Sequence, residues 1–312
     1  MLLVNNSLLS LLHQCETRTW VRWGQELVMR EREEPGPMEV GKVLHRAFAY
    51  WLEGHKTEDI LRSFEHDWHE EVGEGLPTQE RLHHGNVRLV LEHWLLAQEG
   101  RVREFETVKS EETFEVPLGK VAGEKVVFYG TIDGLIDWKG ERWLLEHKTT
   151  GNMDAGWQAS WGMKAQLQGY VWALRQLGHA VKGAFVNGLE IRKLPPWDGN
   201  YAKKCGQHKV KYQECQGLHV KHIWVGPLWW SEARLEQWRR DALAGAKTLL
   251  WLKHGAGGEL EDVLMDGQFK WPGCQRCPYQ AWCKAGRPPA GLGQMMVHAA
   301  WRQEEDGEDT DV

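Results

Sequence analysis

Two strand-like segments joined by a tight turn constrain this chain more than any other feature of its sequence. The segments Gly130–Trp138 and Glu141–Lys148 are rich in β-branched and aromatic residues, and Lys139-Gly140 between them is typical of a two-residue hairpin turn. In that hairpin Asp133 lies directly opposite Glu146, on the same face of the sheet. Directly opposed carboxylates repel each other unless they share a cation, so the pattern predicts a divalent metal site.

Lys148 extends this site, because it follows Glu146 by two residues and therefore lies on the same face of the strand. The backbone carbonyl of His147 offers a further oxygen ligand. A Mg²⁺ or Mn²⁺ ion here would polarise a phosphoryl group, and the lysine ammonium could orient the attacking water or offset developing charge. An ordinary charged hairpin is the alternative, but the apolar run Trp143-Leu144-Leu145 favours a built site.

Two features outside the hairpin belong to the same pattern. His45 lies on a predicted helix, and a neutral imidazole is a common metal ligand. Gln166 and Tyr170 are four residues apart on a helix predicted after the hairpin, so their side chains share a face and could support the site or contact DNA. Taken alone, each of these residues is typical of an ordinary helix.

The order of these residues resembles the RecB branch of the PD-(D/E)xK nuclease superfamily, over roughly residues 39–190. The resemblance implies a restriction-endonuclease-like α/β core and a metal-dependent DNA exonuclease acting on single-stranded or free-ended DNA. It implies that His45, Asp133 and Glu146 bind the metal and that Lys148 is catalytic. It also implies that Gln166 and Tyr170 support the site and DNA binding. Glu146 stands where the RecB branch usually has Asp, a variation that the wider superfamily accepts.

Hydrophobic periodicity predicts an α/β chain with a mixed central sheet. The predicted helices cover residues 7–18, 40–52, 57–71, 78–98, 159–177 and 231–253. The predicted strands cover residues 103–117, 125–138, 141–148, 181–191 and 219–225, and residues 31–38 are predicted as a loop. We divide the chain into an N-terminal helical region (1–100) carrying Cys15 and His45, a nuclease core (101–230), a C-terminal helix with a cysteine cluster (231–300) and a disordered acidic tail (301–312).

The cysteines predict a second metal centre. Cys274, Cys277 and Cys283 lie within ten residues, and Cys15 is the candidate for the fourth thiolate that a zinc site or a [4Fe–4S] cluster needs. Spacing alone does not separate zinc from iron–sulfur, and three unliganded thiols are the remaining alternative. The arrangement resembles the cluster-bearing RecB-like exonucleases, including AddB-type nuclease domains and the CRISPR-associated RecB-like family. That resemblance implies a [4Fe–4S] cluster that links the N- and C-terminal segments as a structural staple.

Composition limits the remaining possibilities. Six cysteines without a basic leader or a long apolar run predict a cytoplasmic protein, bacterial or in a virus-infected host, whose thiols hold metal instead of forming disulfides. Cys205 and Cys215 lie in a basic insertion (203–222), which is either a solvated loop, a DNA-contacting flap or a second metal site. Gly245–Thr248 is only a fragment of a phosphate-binding loop, so the chain carries no helicase motor.

The partners follow from the same reasoning. DNA is the expected substrate, although the net charge of −6 disfavours a simple DNA-coating protein. Most of the 19 Trp side chains are expected in the core, with a few available for DNA. A recombinase, a helicase or a single-strand-binding protein is a possible protein partner, and no membrane is expected. The alternatives are a non-catalytic DNA-binding protein on the same fold and a zinc-stapled adaptor.

Overall fold

A computed structural model describes residues 1–29, 36–73, 79–99, 104–194, 220–255, 274, 277–284 and 296–298. Several sequence predictions lie outside these residues. They are most of the loop at 31–38, residue 78 of the helix predicted over 78–98, the first residue of the strand predicted over 103–117, Cys205 and Cys215 with most of their insertion, and the acidic tail.

The described residues form both helices and strands. The helices are α1 (Asn6–Gln14), α2 (Glu16–Thr19), α3 (Pro37–Leu52), α4 (Thr57–Glu71), α5 (His84–Gln98), α6 (Ala155–Ser160), α7 (Ala165–Gln176), α8 (Glu232–Leu250) and α9 (Gln280–Lys284). The strands are β1 (Leu2–Val4), β2 (Leu27–Met29), β3 (Glu106–Val121), β4 (Glu124–Trp138), β5 (Glu141–Thr150), β6 (Val181–Glu190), β7 (Lys221–Leu228) and β8 (Met296–His298). None of the helices in this part of the chain combines the length and the apolar character of a membrane-spanning segment.

The single helix predicted over residues 7–18 is wrong, because Cys15 interrupts it. Cys15 has an extended backbone (φ −166°, ψ 114°) and separates α1 from α2. Its sulfur accepts a hydrogen bond from the Arg18 backbone N–H at 3.4 Å. Cys15 is therefore the N-cap of α2, a position at which a side-chain acceptor satisfies a free helical N–H.

Other predicted boundaries also change. The loop predicted to reach residue 38 ends earlier, because Pro37 starts α3 and Glu39 accepts a hydrogen bond from the Gly36 N–H at 2.9 Å. The helix predicted over 159–177 is two helices separated by a tight turn at Trp161–Met163. The helix predicted over 78–98 begins as a separate turn at Glu80–Leu82.

The chain divides into two compact units, each built from separate segments. The first contains residues 1–32, 114–130 and 232–306. In it β1 pairs parallel with β4, from Leu2–Val126 to Val4–Phe128, a contact too short to be predicted from periodicity. Helix α8 approaches α1 closely, since a Cβ on Gly245 would lie 3.0 Å from the Leu9 side chain.

The second unit contains residues 33–113 and 131–231 and carries the predicted site. Here β4 and β5 pair antiparallel, β5 and β6 pair parallel, and β6 and β7 pair antiparallel, which confirms a mixed sheet. Side chains from α3, α4 and α5 cover one face and form a core with Leu145 and Phe185. On the other face, Gly188 leaves room for Trp157 of α6, since a Cβ there would lie 2.4 Å from that indole.

Candidate functional site

The β4–β5 hairpin positions the two predicted acids. Lys139 and Gly140 both have positive φ (52° and 77°), as a two-residue hairpin turn of this type requires. Backbone pairing runs from Trp138–Glu141 to Gly134–Leu145, which is the register that the sequence predicts.

Asp133 precedes Gly134 and Glu146 follows Leu145, so the two acids lie just beyond the last backbone pair of the hairpin. There a side chain of β4 contacts the backbone of β5. The Asp133 carboxylate Oδ2 accepts a hydrogen bond from the His147 backbone N–H at 2.6 Å.

His45 of α3 reaches the same carboxylate. The imidazole Nδ1 lies 3.2 Å from Asp133 Oδ1, so the side chains of these two predicted metal ligands are in contact. Helix α3 lies close to β4 because Gly134 has no side chain: a Cβ there would be 2.8 Å from the Leu52 Cδ1. Burial by itself raises the pKa of Asp133, but the charge and hydrogen bond of His45, with smaller effects of His147 and Lys148, hold it well below its ordinary value.

Glu146 is the most enclosed acid of the site. Its side chain is only 3% exposed, and Oε1 lies 3.2 Å from the Lys148 Nζ. The other oxygen, Oε2, is buried without a hydrogen-bond partner. Burial, and then the charge of Asp133, raise the pKa of Glu146 to about 7, against the attraction of Lys148. An enclosed carboxylate oxygen without a donor is the kind of atom that a bound cation satisfies.

His147 lies between these residues in sequence, but its ring belongs to the helix-covered core. The ring stacks on Phe48 at a centroid distance of 4.7 Å and lies edge-on to Trp94 at 6.4 Å. Its Nδ1 is 2.9 Å from the Asn187 amide nitrogen. Burial lowers the pKa of His147 to about 3, so the ring is neutral at physiological pH. His147 therefore contributes its backbone to the site, while its side chain fixes that backbone in place.

Sequence reasoning missed two residues beside the acids. Asn187 holds the His147 ring, and a lone buried amide within the apolar strand β6 is the signal that could have identified it. Glu111 of β3 has a positive φ of 47°. Its pKa is raised by burial and then by the charge of Asp133. No sequence pattern connects Glu111 with Asp133, because the pairing of β3 with β4 brings them together.

The predicted Gln166–Tyr170 pair lies on α7, and the Gln166 amide nitrogen is 3.3 Å from the Tyr170 hydroxyl. The two side chains therefore share a face of this helix, as their spacing indicates. Tyr170 is 3% exposed, which makes it part of the packing of α7 as well as a candidate support for the site.

The four predicted cluster cysteines lie in the first unit and are partly buried. The Cys277 backbone N–H bonds to the Cys274 carbonyl at 3.4 Å, and the Cys283 N–H bonds to the Tyr279 carbonyl at 3.0 Å. Burial raises the pKa of the Cys277 thiol, and the neighbouring Cys15 and Cys274 thiols raise it further. Cys15 and Cys274 thus both lie within electrostatic reach of Cys277.

Among the described residues, no group of three or more His, Cys, Asp or Glu side chains is placed so that it could hold a metal ion. In the second unit the acids are instead held by neighbouring cations and donors, with Asp133 bonded to His45 and Glu146 to Lys148. The types of donor at this site, which are two carboxylates, an imidazole and an adjacent backbone carbonyl, are nevertheless those that a hard divalent ion takes.

Two close acids and a lysine on neighbouring strands define a site of the kind found in metal-dependent nucleases. The family model described as "PD-(D/E)XK nuclease superfamily" matches residues 4–284. Because that match covers most of the chain, the protein belongs to the PD-(D/E)XK nuclease superfamily. Members are typically phosphodiester hydrolases that use Mg²⁺ or Mn²⁺, and membership implies DNA as the substrate.

Among solved structures, the chain is similar to one titled "Crystal structure of SSO0001". The two are 16% identical, the match covers 82% of this chain and 89% of that chain, and the TM-score is 0.32. No protein of curated function matches the sequence significantly.

Proposed function

We propose that this protein is a Mg²⁺- or Mn²⁺-dependent exonuclease that hydrolyses single-stranded or free-ended DNA. The observation that carries the proposal is the buried Glu146 carboxylate, which has one oxygen without a hydrogen-bond partner and is close enough to Asp133 for that charge to raise its pKa. Such an arrangement destabilises the protein unless a cation binds. Membership of the nuclease superfamily makes phosphodiester hydrolysis the matching chemistry.

Asp133, Glu146, His45 and the His147 carbonyl would hold the ion. When bound, the ion supplies Lewis-acid polarisation of the phosphoryl oxygen and a more acidic bound water. The chain's own residues prepare this site: the His147 N–H fixes one Asp133 oxygen at 2.6 Å, and His45 contacts the other at 3.2 Å. Both interactions align the Asp133 carboxylate before DNA binds.

Lys148 is the proposed catalytic lysine. Its ammonium group is 3.2 Å from Glu146 Oε1 and its side chain is 8% exposed, so the charge acts in a poorly solvated environment. There it can hold the attacking water and offset the charge that develops on the phosphoryl oxygens. We propose that Gln166 and Tyr170 help to place the DNA, since their paired side chains lie on α7, the second helix after the catalytic strand.

Degradation of end-labelled linear DNA and of closed circular DNA, each with Mg²⁺, Mn²⁺ or EDTA, tests the activity. We expect metal-dependent loss of linear DNA and resistance of closed circles. Lys148→Ala should lower kcat by about 10²–10³-fold, as loss of a transition-state donor does. Lys139→Ala, in the exposed turn of the same hairpin, is the control and should retain full activity.

Two outcomes would contradict the proposal. Cleavage of closed circles would exclude a requirement for ends and would make the enzyme an endonuclease. Full activity of Lys148→Ala would remove the proposed catalytic lysine. DNA binding without cleavage under any metal condition would instead favour a non-catalytic DNA-binding protein.

We further propose that the protein is a RecB/AddB-like member whose four cysteines, Cys15, Cys274, Cys277 and Cys283, hold a [4Fe–4S] cluster. The proximity of the Cys15 and Cys274 thiols to Cys277, whose pKa they raise, supports a common centre. Thiolate ligation would add folding energy to the first unit. The corresponding biological setting is recombination, repair, replication or defence in the cytoplasm, with a recombinase, helicase or single-strand-binding protein as partner.

Iron, sulfide and zinc analysis of anaerobically purified protein, together with its visible absorbance, tests the cluster. We expect about four irons per chain and loss of the absorbance in Cys15→Ala. Ser10→Ala, in the preceding helix, should keep both. One zinc per chain without iron would replace the cluster with a structural zinc site, and colour that persists in Cys15→Ala would remove Cys15 from the ligand set.

A further inference from the structure

The indole ring of Trp157 lies beside the position of Lys148 in the sheet. Lys148 of β5 pairs with Gly188 of the parallel strand β6. A Cβ on Gly188 would lie 2.4 Å from the Trp157 Cη2 and 2.9 Å from its Cζ3. Neighbouring strands are about 4.8 Å apart, so the ring takes the place that a side chain of the residue next to Lys148 would fill.

The sheet register places this ring on the same face as the Lys148 side chain. Successive residues of a strand point to opposite faces, and paired residues of neighbouring strands point to the same face. The pair before Lys148 and Gly188 is His147 and Asn187, whose side chains meet at 2.9 Å on the face that α3, α4 and α5 cover. Lys148 and the missing side chain of Gly188 therefore both point to the other face, where Trp157 lies.

Trp157 is partly exposed, and the residues around it fix its position. Asp154 caps α6, because its Oδ1 accepts a hydrogen bond from the Trp157 backbone N–H at 2.8 Å. The Asn152 amide donates to the other oxygen of Asp154 at 3.1 Å. The Trp161 ring packs edge-on to Trp157 at a centroid distance of 5.2 Å. A side chain held in this way loses little conformational entropy when a ligand stacks on it.

A second positive charge belongs to the same group of side chains. The Lys164 ammonium lies 5.4 Å from the centroid of the Trp161 ring, and that ring contacts Trp157. The aromatic pair therefore has Lys148 as one neighbour and Lys164 as another. Aromatic rings with cations close by are the usual binding surface for unpaired nucleotides, because the bases stack on the rings and the cations neutralise the phosphates.

We propose that Trp157 stacks on the base of the nucleotide whose phosphate reaches Lys148 when single-stranded DNA is bound. This inference rests on the proposed function and specifies how its substrate is held. A base is joined to its phosphate through a single sugar, so a ring next to Lys148 is within its reach. Only an unpaired base offers a free face to an indole, since the bases of a duplex are already stacked on each other. Trp157 is thus a substrate-binding residue that favours single strands.

Two labelled 20-nucleotide strands measure this contribution: oligo(dT), and an abasic strand with the same number of phosphates. Anisotropy titrations in EDTA, which prevents hydrolysis, give the Kd of each. We expect Trp157→Ala to raise the Kd for oligo(dT) about tenfold, as loss of one stacked base does, and to leave the Kd for the abasic strand unchanged. The salt dependence of both should stay the same, because no phosphate contact is lost.

Two further variants complete the test. Trp157→Phe keeps an aromatic face, and its Kd for oligo(dT) should remain within about threefold of the wild type. Trp251→Ala is the matched control and should change neither Kd, since Trp251 is also exposed (41%) but lies in the first unit. Thermal melts establish that each variant is folded.

An unchanged Kd for oligo(dT) in Trp157→Ala would overturn the inference. An equal loss of affinity for both strands would also overturn it, because the ring would then act only through packing. Failure of this inference is distinguishable from failure of the proposed function. If the wild type degrades DNA and Trp157→Ala binds oligo(dT) normally, the nuclease stands and the stacking contact is rejected. If the wild type degrades nothing but its preference for oligo(dT) depends on Trp157, the reverse holds.

Discussion

Replacing Glu146 with glutamine tests the metal-site reasoning on the folded protein without any substrate. Without a divalent ion, burial and the charge of Asp133 raise the pKa of Glu146 from its ordinary value of 4.5 to about 7. The gap between these values corresponds to roughly 3 kcal/mol by which ionised Glu146 destabilises the fold. This figure already includes the attraction of Lys148, because that attraction opposes the rise of the pKa.

The pH window follows from the direction of the change. The folded protein binds the Glu146 proton more tightly than the unfolded chain does, so the destabilisation is absent below pH 4.5, grows as the pH rises towards 7 and is complete above it. Glutamine has nearly the same shape and carries no charge at any pH. In EDTA we expect Glu146→Gln to be more stable than the wild type by roughly 3 kcal/mol at pH 8 and by about 1 kcal/mol at pH 5.

Urea denaturation at the two pH values measures this difference in stability. Thermal melts with Mn²⁺ measure how much the bound metal stabilises each protein. A metal at one hundred times its Kd stabilises the wild type by about 2.7 kcal/mol, and Glu146→Gln should lose most of that gain. Glu141→Gln, which removes a half-exposed acid at the start of the same strand, is the control and should show neither effect. A Glu146→Gln variant less stable than the wild type at pH 8, or one that Mn²⁺ still stabilises fully, would refute the reasoning.

Three further substitutions test the structure around the site. Gly183→Ala forces a Cβ within 1.8 Å of a carbonyl oxygen of β7 and should destabilise the protein by about 3 kcal/mol or more in urea titrations. The control is Gly162→Ala, where the new Cβ would have no atom within 4 Å. It should change the free energy of unfolding by less than about 0.5 kcal/mol. Asn187→Ala removes the amide beside the His147 ring and should cost about 1–3 kcal/mol and lower kcat more than it changes KM; an unchanged kcat would contradict it. Glu111→Gln should weaken Mn²⁺ binding several-fold in calorimetry, because a third carboxylate charge adds to the attraction for the cation, and an unchanged Mn²⁺ affinity would exclude that role.

The site's central hairpin could be predicted from sequence because its register depends on local information. Lys139-Gly140 adopts the positive φ values of a two-residue turn, and this turn fixes which residue of β4 faces each residue of β5. The position of Asp133 opposite Glu146 follows from that register. The element order of the second unit was also predictable, since its strands and helices have clear hydrophobic periods.

The features that could not be predicted depend on contacts between distant segments. Asn187 meets His147 only because β6 pairs parallel with β5, and Glu111 meets Asp133 only because β3 pairs with β4. The break at Cys15 was missed for a different reason. The residues on both sides favour a helix, and the interruption depends on a thiol acting as a helix cap, which is not a usual choice of residue.

In the second unit the charged site lies on a strand, β5, whose central residues are all buried. The Asp133 carboxylate is aligned by the His147 N–H, and the position of that N–H depends on a ring packed against Phe48 and Trp94 and bonded to Asn187. The packing of the His147 ring in the apolar core therefore helps to fix the orientation of the Asp133 carboxylate. This explains why the chain keeps a neutral histidine beside its acids: a charged ring in that core would be costly, while a neutral one holds the strand without adding charge to the site.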